Sequence, residues 1–284
     1  MTVRTAWRRY WPYLPLVIWS VIVLFPVYWL VVTSFKPALA VSQGATYLPW
    51  LDFQPSLHAW EGILLGAQAP AIRRAFVNSV IVGGASSLLA LMLGSFAAYG
   101  LTRFRYRLGF IRNRDILVFI VSQRMMPPIV TALALFLMLH TLGLTDTRLG
   151  LILVYTAFNL PLAAWLMHNF FDQIPPHLEE AALVDGGTRF QIFWRIVVPV
   201  SMPGLIATFF FTLIFAWNEF LFALILTSRD AQTLPIFIAA QHSQRGVQWW
   251  SLSAMSIVTV LPVVLFTFGV HRFLVERILT GSGS

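Results

Sequence analysis

The sequence predicts an all-α, polytopic membrane protein with six spanning helices. Three observations carry that prediction. The 284-residue chain is 58% hydrophobic and only 11% charged. Six apolar stretches are each long enough to cross a bilayer, which takes about 20 predominantly apolar residues. Arginines gather on alternate connecting segments, the bias that marks cytoplasmic loops. A soluble domain carries about 25% charged residues, so a water-soluble fold of this length would lack the polar surface to cover its core. Cysteine is absent, which excludes disulfides, thiolate metal sites and cysteine nucleophiles.

The first stretch, about residues 11–34, follows Arg4, Arg8 and Arg9 and contains Pro15 and Pro26. It is too long for the apolar region of a secretory signal, and no small-residue cleavage site follows it. It therefore reads as a retained span, with no cleavable leader expected. The second covers about 75–101, the third 116–142, the fourth 149–171, the fifth 202–226 and the sixth 251–273. The chain divides into a cytoplasmic amino terminus (1–10), a first span with its outer loop (11–74), a core membrane domain (75–275) holding an inner loop at 172–200, and a carboxy-terminal tail (276–284).

With the amino terminus inside, the inner segments hold Arg4, Arg8, Arg9, Arg103, Arg105, Arg107, Arg112, Arg114, Arg189, Arg195, Arg272 and Arg277. The outer segments hold Lys36, Arg73, Arg74, Arg148, Arg229 and Arg245. Twelve cations against six, with Arg124 set aside inside a span, place both termini in the cytoplasm. The formal net charge of +8 needs no nucleic acid partner. These arginines set topology and meet lipid headgroups. The outer loops at about 35–74 and 227–250 carry Trp50, Trp60, Trp249 and Trp250, residues suited to the interface. Neither loop is large enough to be a receptor domain, so if the protein takes up a specific solute another protein must capture it. Ala90, Gly94 and Ala98 lie four apart on one face of the second span, where small residues let another helix come close.

The inner loop from Asp172 to Pro203 is the most informative stretch. Pro175 and Pro176 can start a short helix in which Leu178, Ala181 and Ala182 share a small apolar face. Gly186 and Gly187 end it. Thr188 and Gln191 have capping-box spacing and begin a second helix, with Phe190, Phe193 and Val197 on one face. Pro199 and Pro203 turn the chain into the fifth span. The product is a helix–turn–helix elbow with Glu179, Glu180 and Asp185 at its tip, among otherwise basic inner segments. From the residues alone two readings stand: a lever gripped by a cytoplasmic partner, or an amphipathic loop lying on the headgroups.

Glu180-Ala181-Ala182, three residues, Gly186, nine residues, then Ile196, one residue, Val198 and Pro199 resembles the signature loop of binding-protein-dependent ABC importer permeases. That pattern has Leu where this chain has Val198; Asp185 beside the glycine also matches its commonest form. Ser34-Phe35-Lys36-Pro37, Asn78-Ser79, Arg124-Met125-Met126-Pro127 and Trp217-Asn218-Glu219-Phe220 extend the resemblance to the carbohydrate branch, and to the maltose-transporter-type second permease subunit in particular. The carboxy terminus departs: Val275-Glu276-Arg277 stands where that branch often has a Gly-rich tail, so a tail contact with the ATPase subunits is not implied. The resemblance implies the type I importer permease fold in a bacterial plasma membrane. It implies three kinds of protein partner: a second permease subunit completing a heterodimer, two ATP-binding cassette ATPase subunits, and an extracytoplasmic solute-binding protein. Glu179, Glu180, Ala181, Ala182, Asp185, Gly186 and Gly187 would form a coupling helix seated in a groove of the ATPase. ATP and Mg would be held by that partner, with no cofactor on this chain. The cargo would be a sugar, sugar alcohol or related polar osmolyte.

No phosphate-binding loop is present: the single lysine, Lys36, precedes Pro37. His58, His140, His168, His177, His242 and His271 show no metal-ligand spacing. No cluster suggests a membrane-embedded enzyme, and no paired halves suggest a self-contained secondary transporter, the alternative class. Charges inside spans mark functional candidates. Arg124, about eight residues into the third span, is read as snorkelling or as bonding helix ends freed by Pro127 and Pro128. Trp217, Asn218 and Glu219, with Asn159 beside Pro161, are candidates for the solute path. They offer a ring for C–H faces and polar groups for hydroxyls, and helix packing is their alternative role. Counted at 1.5 Å per residue, Arg124 lies roughly 12 Å deep and Glu219 roughly 25 Å from the inner face, which argues against their meeting.

Overall fold

The computed structural model describes residues 13–42, 44, 46–240, 242–243 and 246–281, with side chains at the carboxy-terminal end described up to residue 270. Arg4, Arg8, Arg9 and Arg245 lie outside the described residues, as do the side chains of His242, His271, Arg272, Glu276 and Arg277. The helices are α1 (Tyr13–Ser34), α2 (Ala38–Ser42), α3 (His58–Leu64) and α4 (Ala69–Arg103). A hairpin of β1 (Arg107–Leu108) and β2 (Ile111–Arg112) leads to α5 (Asn113–Ser122), α6 (Pro128–Thr141) and α7 (Arg148–Asp172). Then come α8 (His177–Val184), α9 (Arg189–Ile192), α10 (Val198–Val200), α11 (Met202–Trp217), α12 (Leu221–Leu226) and α13 (Leu234–Ala239). A second hairpin of β3 (His242–Ser243) and β4 (Gly246–Val247) precedes α14 (Trp249–Gly281). The chain is therefore a helical membrane body with two minimal antiparallel hairpins.

Four helices are by themselves long and apolar enough to cross a membrane: α1, α4, α7 and α14 over Trp249–Val270. The third and fifth stretches depart from the continuous helices that the sequence predicts. Residues Asn113–Met125 and Pro128–Thr141 meet at 89°. The prolines cause the bend. Met126 and Pro127 adopt extended ψ angles of 126° and 127°, because proline disfavours helical backbone in the residue before it, and Pro128 then occupies the first turn of α6. The fifth stretch is entered at 79° through Pro199 and Pro203 and leaves the helix at Trp217. Asn218 Nδ2 donates to the Ile214 carbonyl at 2.8 Å, competing with backbone pairing, and helix resumes only at Leu221.

The described residues form two compact units. One holds the chain up to Arg73 together with Phe237–Leu261. In it α1 is exposed along nearly its whole length, the surface that lipid solvates. Beyond α1, Lys36 is only 3% exposed. Its ammonium lies 3.9 Å above the Trp29 ring and donates to the Thr46 carbonyl at 2.5 Å. Burial pulls its pKa below the ordinary lysine value, with Asp52 opposing. Trp60, read from sequence as interfacial, packs its ring 6.0 Å from Phe35.

The other unit holds Arg74–Ile236 and the chain from Pro262. Here α4 packs on α7. Ala90 and Ala98 are fully buried, and a side chain added at Gly94 would come within 2.7 Å of the Ala163 Cβ and 2.8 Å of the Ala164 nitrogen. The small-residue stripe thus meets a helix of the same chain. At one end of α7, Asp146 takes a positive φ of 54°. Its carboxylate accepts the backbone N–H groups of Ser228, Arg229, Asp230 and Ala231 at 3.0–3.2 Å. Burial pulls its pKa up, and these donors outweigh burial and bring it down to about 2, so the loop before α7 is fastened to the loop after α12. We expect Gly94→Val to overpack the α4–α7 contact, costing about 1–3 kcal/mol. A lowered thermal midpoint in detergent would show it; an unchanged midpoint would contradict the close approach.

Candidate functional site

The elbow is built as its residues dictate. Pro176 caps α8, which ends in a Schellman motif: Gly186, at φ +84°, donates to Leu183 O at 3.1 Å and Gly187 donates to Ala182 O at 2.9 Å. Thr188 and Gln191 form the reciprocal capping box of α9, Thr188 N donating to Gln191 Oε1 at 3.0 Å and Gln191 N to Thr188 Oγ1 at 3.3 Å. A π turn over Phe193–Val197 follows. Its wider winding buries Phe193 and Val197 and leaves Phe190 69% exposed, so the three do not share a face.

The inward face of α8 differs from the predicted one. Leu178 and Ala181 point outward, while Glu179, Ala182 and Leu183 turn toward the bundle. Glu179 is not at the exposed tip: it is 1% exposed. Its Oε1 accepts Arg103 Nε at 2.6 Å and its Oε2 accepts the Tyr99 hydroxyl at 2.8 Å. Arg103 Nη2 also donates to the carbonyls of Phe171 at 3.1 Å and Ile174 at 3.0 Å. One guanidinium at the end of α4 therefore holds the end of α7 and the start of α8 together. Glu180, Ala181, Val184 and Asp185 face away from this clamp, Val184 being 88% exposed. Arg103 reads in the sequence as one more topology arginine, and Tyr99 carries no signal of its role. Their single visible trace is the unusual pair of adjacent glutamates in a basic loop.

A pocket of about 220 Å³ opens where the broken spans meet α7. Its lining includes Arg124, Tyr155, Phe158, Asn159, Phe215 and Glu219. Arg124 and Glu219 thus share one cavity. No ion pair joins them among the described residues, as the depth count expects, although the third span is bent by 89° and both line the same space. Among the described residues Arg124 does not bond the helix ends beside it. Nη1 donates to Phe158 O at 3.3 Å, in the turn of α7 disturbed by Pro161, and the guanidinium sits 4.2 Å from the Phe215 ring centre. Glu219 stands in the gap between α11 and α12 and accepts the Phe222 N–H at 2.9 Å. Of the other path candidates, Asn159 lines the pocket. Trp217 is buried edge-on to Phe76 at 6.3 Å, and Asn218 is spent on its own helix end. The aromatic faces come from Tyr155, Phe158, Phe215 and Phe222 instead, which alternate with nothing recognisable in sequence.

Among the described residues no group of three His, Asp or Glu could hold a metal ion. A largely aromatic pocket with Arg124, Asn159 and Glu219 in its lining, inside a helical bundle with a handle clamped to its end, fits a transport subunit. Residues 90–280 match the family described as "Binding-protein-dependent transport system inner membrane component". The chain belongs to that family. It is 35% identical over 271 residues to the inner membrane ABC transporter permease protein YcjP of Escherichia coli, covering 95% of this chain and 94% of the relative. It is 34% identical over 262 residues to the trehalose transport system permease protein SugB of Mycobacterium tuberculosis, covering 91% and 92%. Its fold matches a chain of a bacterial ABC transporter involved in the import of the acidic polysaccharide alginate, with a TM-score of 0.73, 21% identity and coverage of 96% and 98%. The protein is a permease subunit of an ABC importer.

Glu179→Ala would strand the Arg103 guanidinium, and we expect a loss of about 3–5 kcal/mol. The double variant Arg103→Met/Glu179→Leu should lose markedly less, because no buried charge is left alone. Thermal unfolding of the purified protein in detergent measures both; equal losses would argue against a buried ion pair.

Proposed function

We propose that this subunit forms half of the translocation path for a sugar, sugar alcohol or related polar osmolyte, and that its elbow is the part an ATPase moves. The observation that carries the reading is the buried Arg103–Glu179 pair with Tyr99, which ties the elbow rigidly to α4 and α7. A loop that only lay on headgroups would need no such anchor. With Glu179 turned inward, the outward residues Glu180, Ala181, Val184, Asp185 and Gly186 form the docking face, and Ala182 and Gly187 support it. Val184 and Phe190 offer exposed apolar surface, and the small side chain of Ala181 allows close approach.

In this reading two ATPase subunits hold ATP and Mg and grip the elbows of this chain and of a second permease subunit. Closure of the ATPase pair pushes each elbow as a unit, and the clamp passes the push into α4 and α7. A solute-binding protein outside the cell delivers the cargo. The elbow side carries Arg103, Arg105, Arg107, Arg112, Arg114, Arg189 and Arg195, which supports placing it, and both termini, in the cytoplasm of a bacterial cell. The sugar class draws support from relatives named for trehalose and for diacetylchitobiose.

Gly186 tests the lever. Its φ of +84° is open to glycine and strongly disfavoured for a β-branched residue, although no neighbour blocks a side chain. We expect Gly186→Val, in the full complex in vesicles, to lower ATP-driven uptake about tenfold or more while ATP hydrolysis continues, since a strain of about 1–2 kcal/mol reshapes the elbow. Unchanged coupling of hydrolysis to uptake would remove the elbow from the mechanism. Nucleotide-independent accumulation by this chain alone would favour a secondary transporter.

A further inference from the structure

A second hollow, of about 480 Å³, is separate from the pocket at the broken spans. Its walls come from α4, the elbow's π turn, α11 and α14. The lining is apolar except for Ser95 and the indole nitrogen of Trp194, and it holds no acidic side chain among the described residues. Leu88, Met92 and Phe96 on α4 and Phe266 on α14 are exposed, so the hollow opens on the surface of the bundle. Leu89, Leu93 and Leu265 beside them are exposed as well. An apolar surface of this extent on spanning helices is one that lipid covers.

The two ends of the hollow differ. At one end the Phe96 ring lies 5.3 Å from that of Phe193 and 6.3 Å from that of Trp194, so this part of α4 meets the elbow. Away from the elbow, Leu88 lies about two turns back along α4 and Phe209 about two turns on from Met202 along α11, each roughly 10 Å at 1.5 Å per residue. There the Phe209 ring is 5.9 Å from that of Phe266. Polar groups gather only at the elbow end. Ser95 Oγ is buried and has no hydrogen-bond partner among the described residues. Trp194 suits a membrane interface. Arg195, the next residue, is exposed and makes no ion pair among the described residues.

A slot with a cationic mouth and an apolar depth has the polarity of one membrane lipid, headgroup at the interface and tail toward the bilayer centre. The sign of the charge narrows the class further. A headgroup with a net negative charge gives the unpaired Arg195 a partner, and guanidinium–phosphate bonds are among the stronger hydrogen bonds. We propose that the hollow holds an acyl chain of an anionic phospholipid whose phosphate is met by Arg195. Phe193 lines the hollow and also packs 5.0 Å from Tyr99 in the clamp, so the chain braces the elbow against α4. The inference draws on the reading above only for the leaflet: a cytoplasmic elbow puts this lipid in the inner one.

Native mass spectrometry tests this on the full chain, delipidated and then exchanged against equal amounts of dioleoyl phosphatidylglycerol and phosphatidylcholine. The most tightly held lipid on the wild type should be phosphatidylglycerol, preferred about fivefold, the ratio given by about 1 kcal/mol for one arginine near a lipid phosphate. Arg195→Gln should bring that ratio close to one. Met92→Trp, which adds bulk to the wall, should lower retention of both lipids several-fold. The proposal is overturned if the wild type shows no preference, if Arg195→Gln keeps it, or if a folded Met92→Trp retains lipid like the wild type. Should Met92→Trp fail to fold, the Arg195→Gln ratio alone decides. The complex with its partner subunits should carry the same lipid; a complex that carries none would assign the hollow to a neighbouring subunit and also overturn the proposal. Retention needs no nucleotide, so a loss of ATP-driven uptake with lipid still held would strike the importer mechanism and leave this site standing.

Discussion

A buried charge needs partners to replace water, and the Arg103–Glu179 contact is where two such charges in this chain meet each other. The two side chains are 9% and 2% exposed, so water contributes little to either. Each must hold the other, and in doing so they join the end of α4, the end of α7 and the first turn of α8. Tyr99 completes the carboxylate, and two backbone carbonyls complete the guanidinium. The ring of Phe193 lies 5.0 Å from that of Tyr99 and 6.2 Å from that of Phe171, so the elbow's second helix packs on the same knot. The orientation of the elbow, and hence which of its residues look outward, follows from this one polar contact in an apolar setting.

The pocket depends on the opposite device, interruption of the bundle. A straight apolar helix satisfies its own backbone and offers a ligand nothing. Prolines at 127 and 128 bend one span, and the polar run after Trp217 breaks another. Near these breaks side chains such as Arg124, Asn159 and Glu219 turn toward a common space. The α4–α7 contact is close because it is made of Ala90, Gly94, Ala98, Ala163 and Ala164, and Asp146 fastens the far loop with a fan of backbone donors. The elbow and the pocket are joined by α7, which Arg103 holds at one end and which carries Asn159 in its middle.

Much of the elbow was legible. Pro175-Pro176, Gly186-Gly187 and the Thr188–Gln191 pair act through short-range backbone chemistry, and each does in the fold what its spacing implies. The six apolar stretches were legible for a similar reason, since transfer of about 20 apolar residues into lipid outweighs local preference. The pocket was half legible. Asn159 and Glu219 stand out as polar residues in apolar runs. The cavity that Arg124 and Glu219 share was not legible, because a count along a straight helix cannot anticipate a bend, and neither was the packing of Trp217 against Phe76.

By itself the sequence determined the solvent, the apolar stretches, the turn chemistry of the elbow, and the family, since all of these are set by composition or by short local patterns. Only the tertiary structure decided that Glu179 is an anchor and Glu180 is free, that Arg124 and Glu219 face one cavity, and that the small-residue face of α4 is filled by α7. Those outcomes depend on contacts between residues 34 to 95 positions apart, whose energies arise from burial and pairing that no local pattern records.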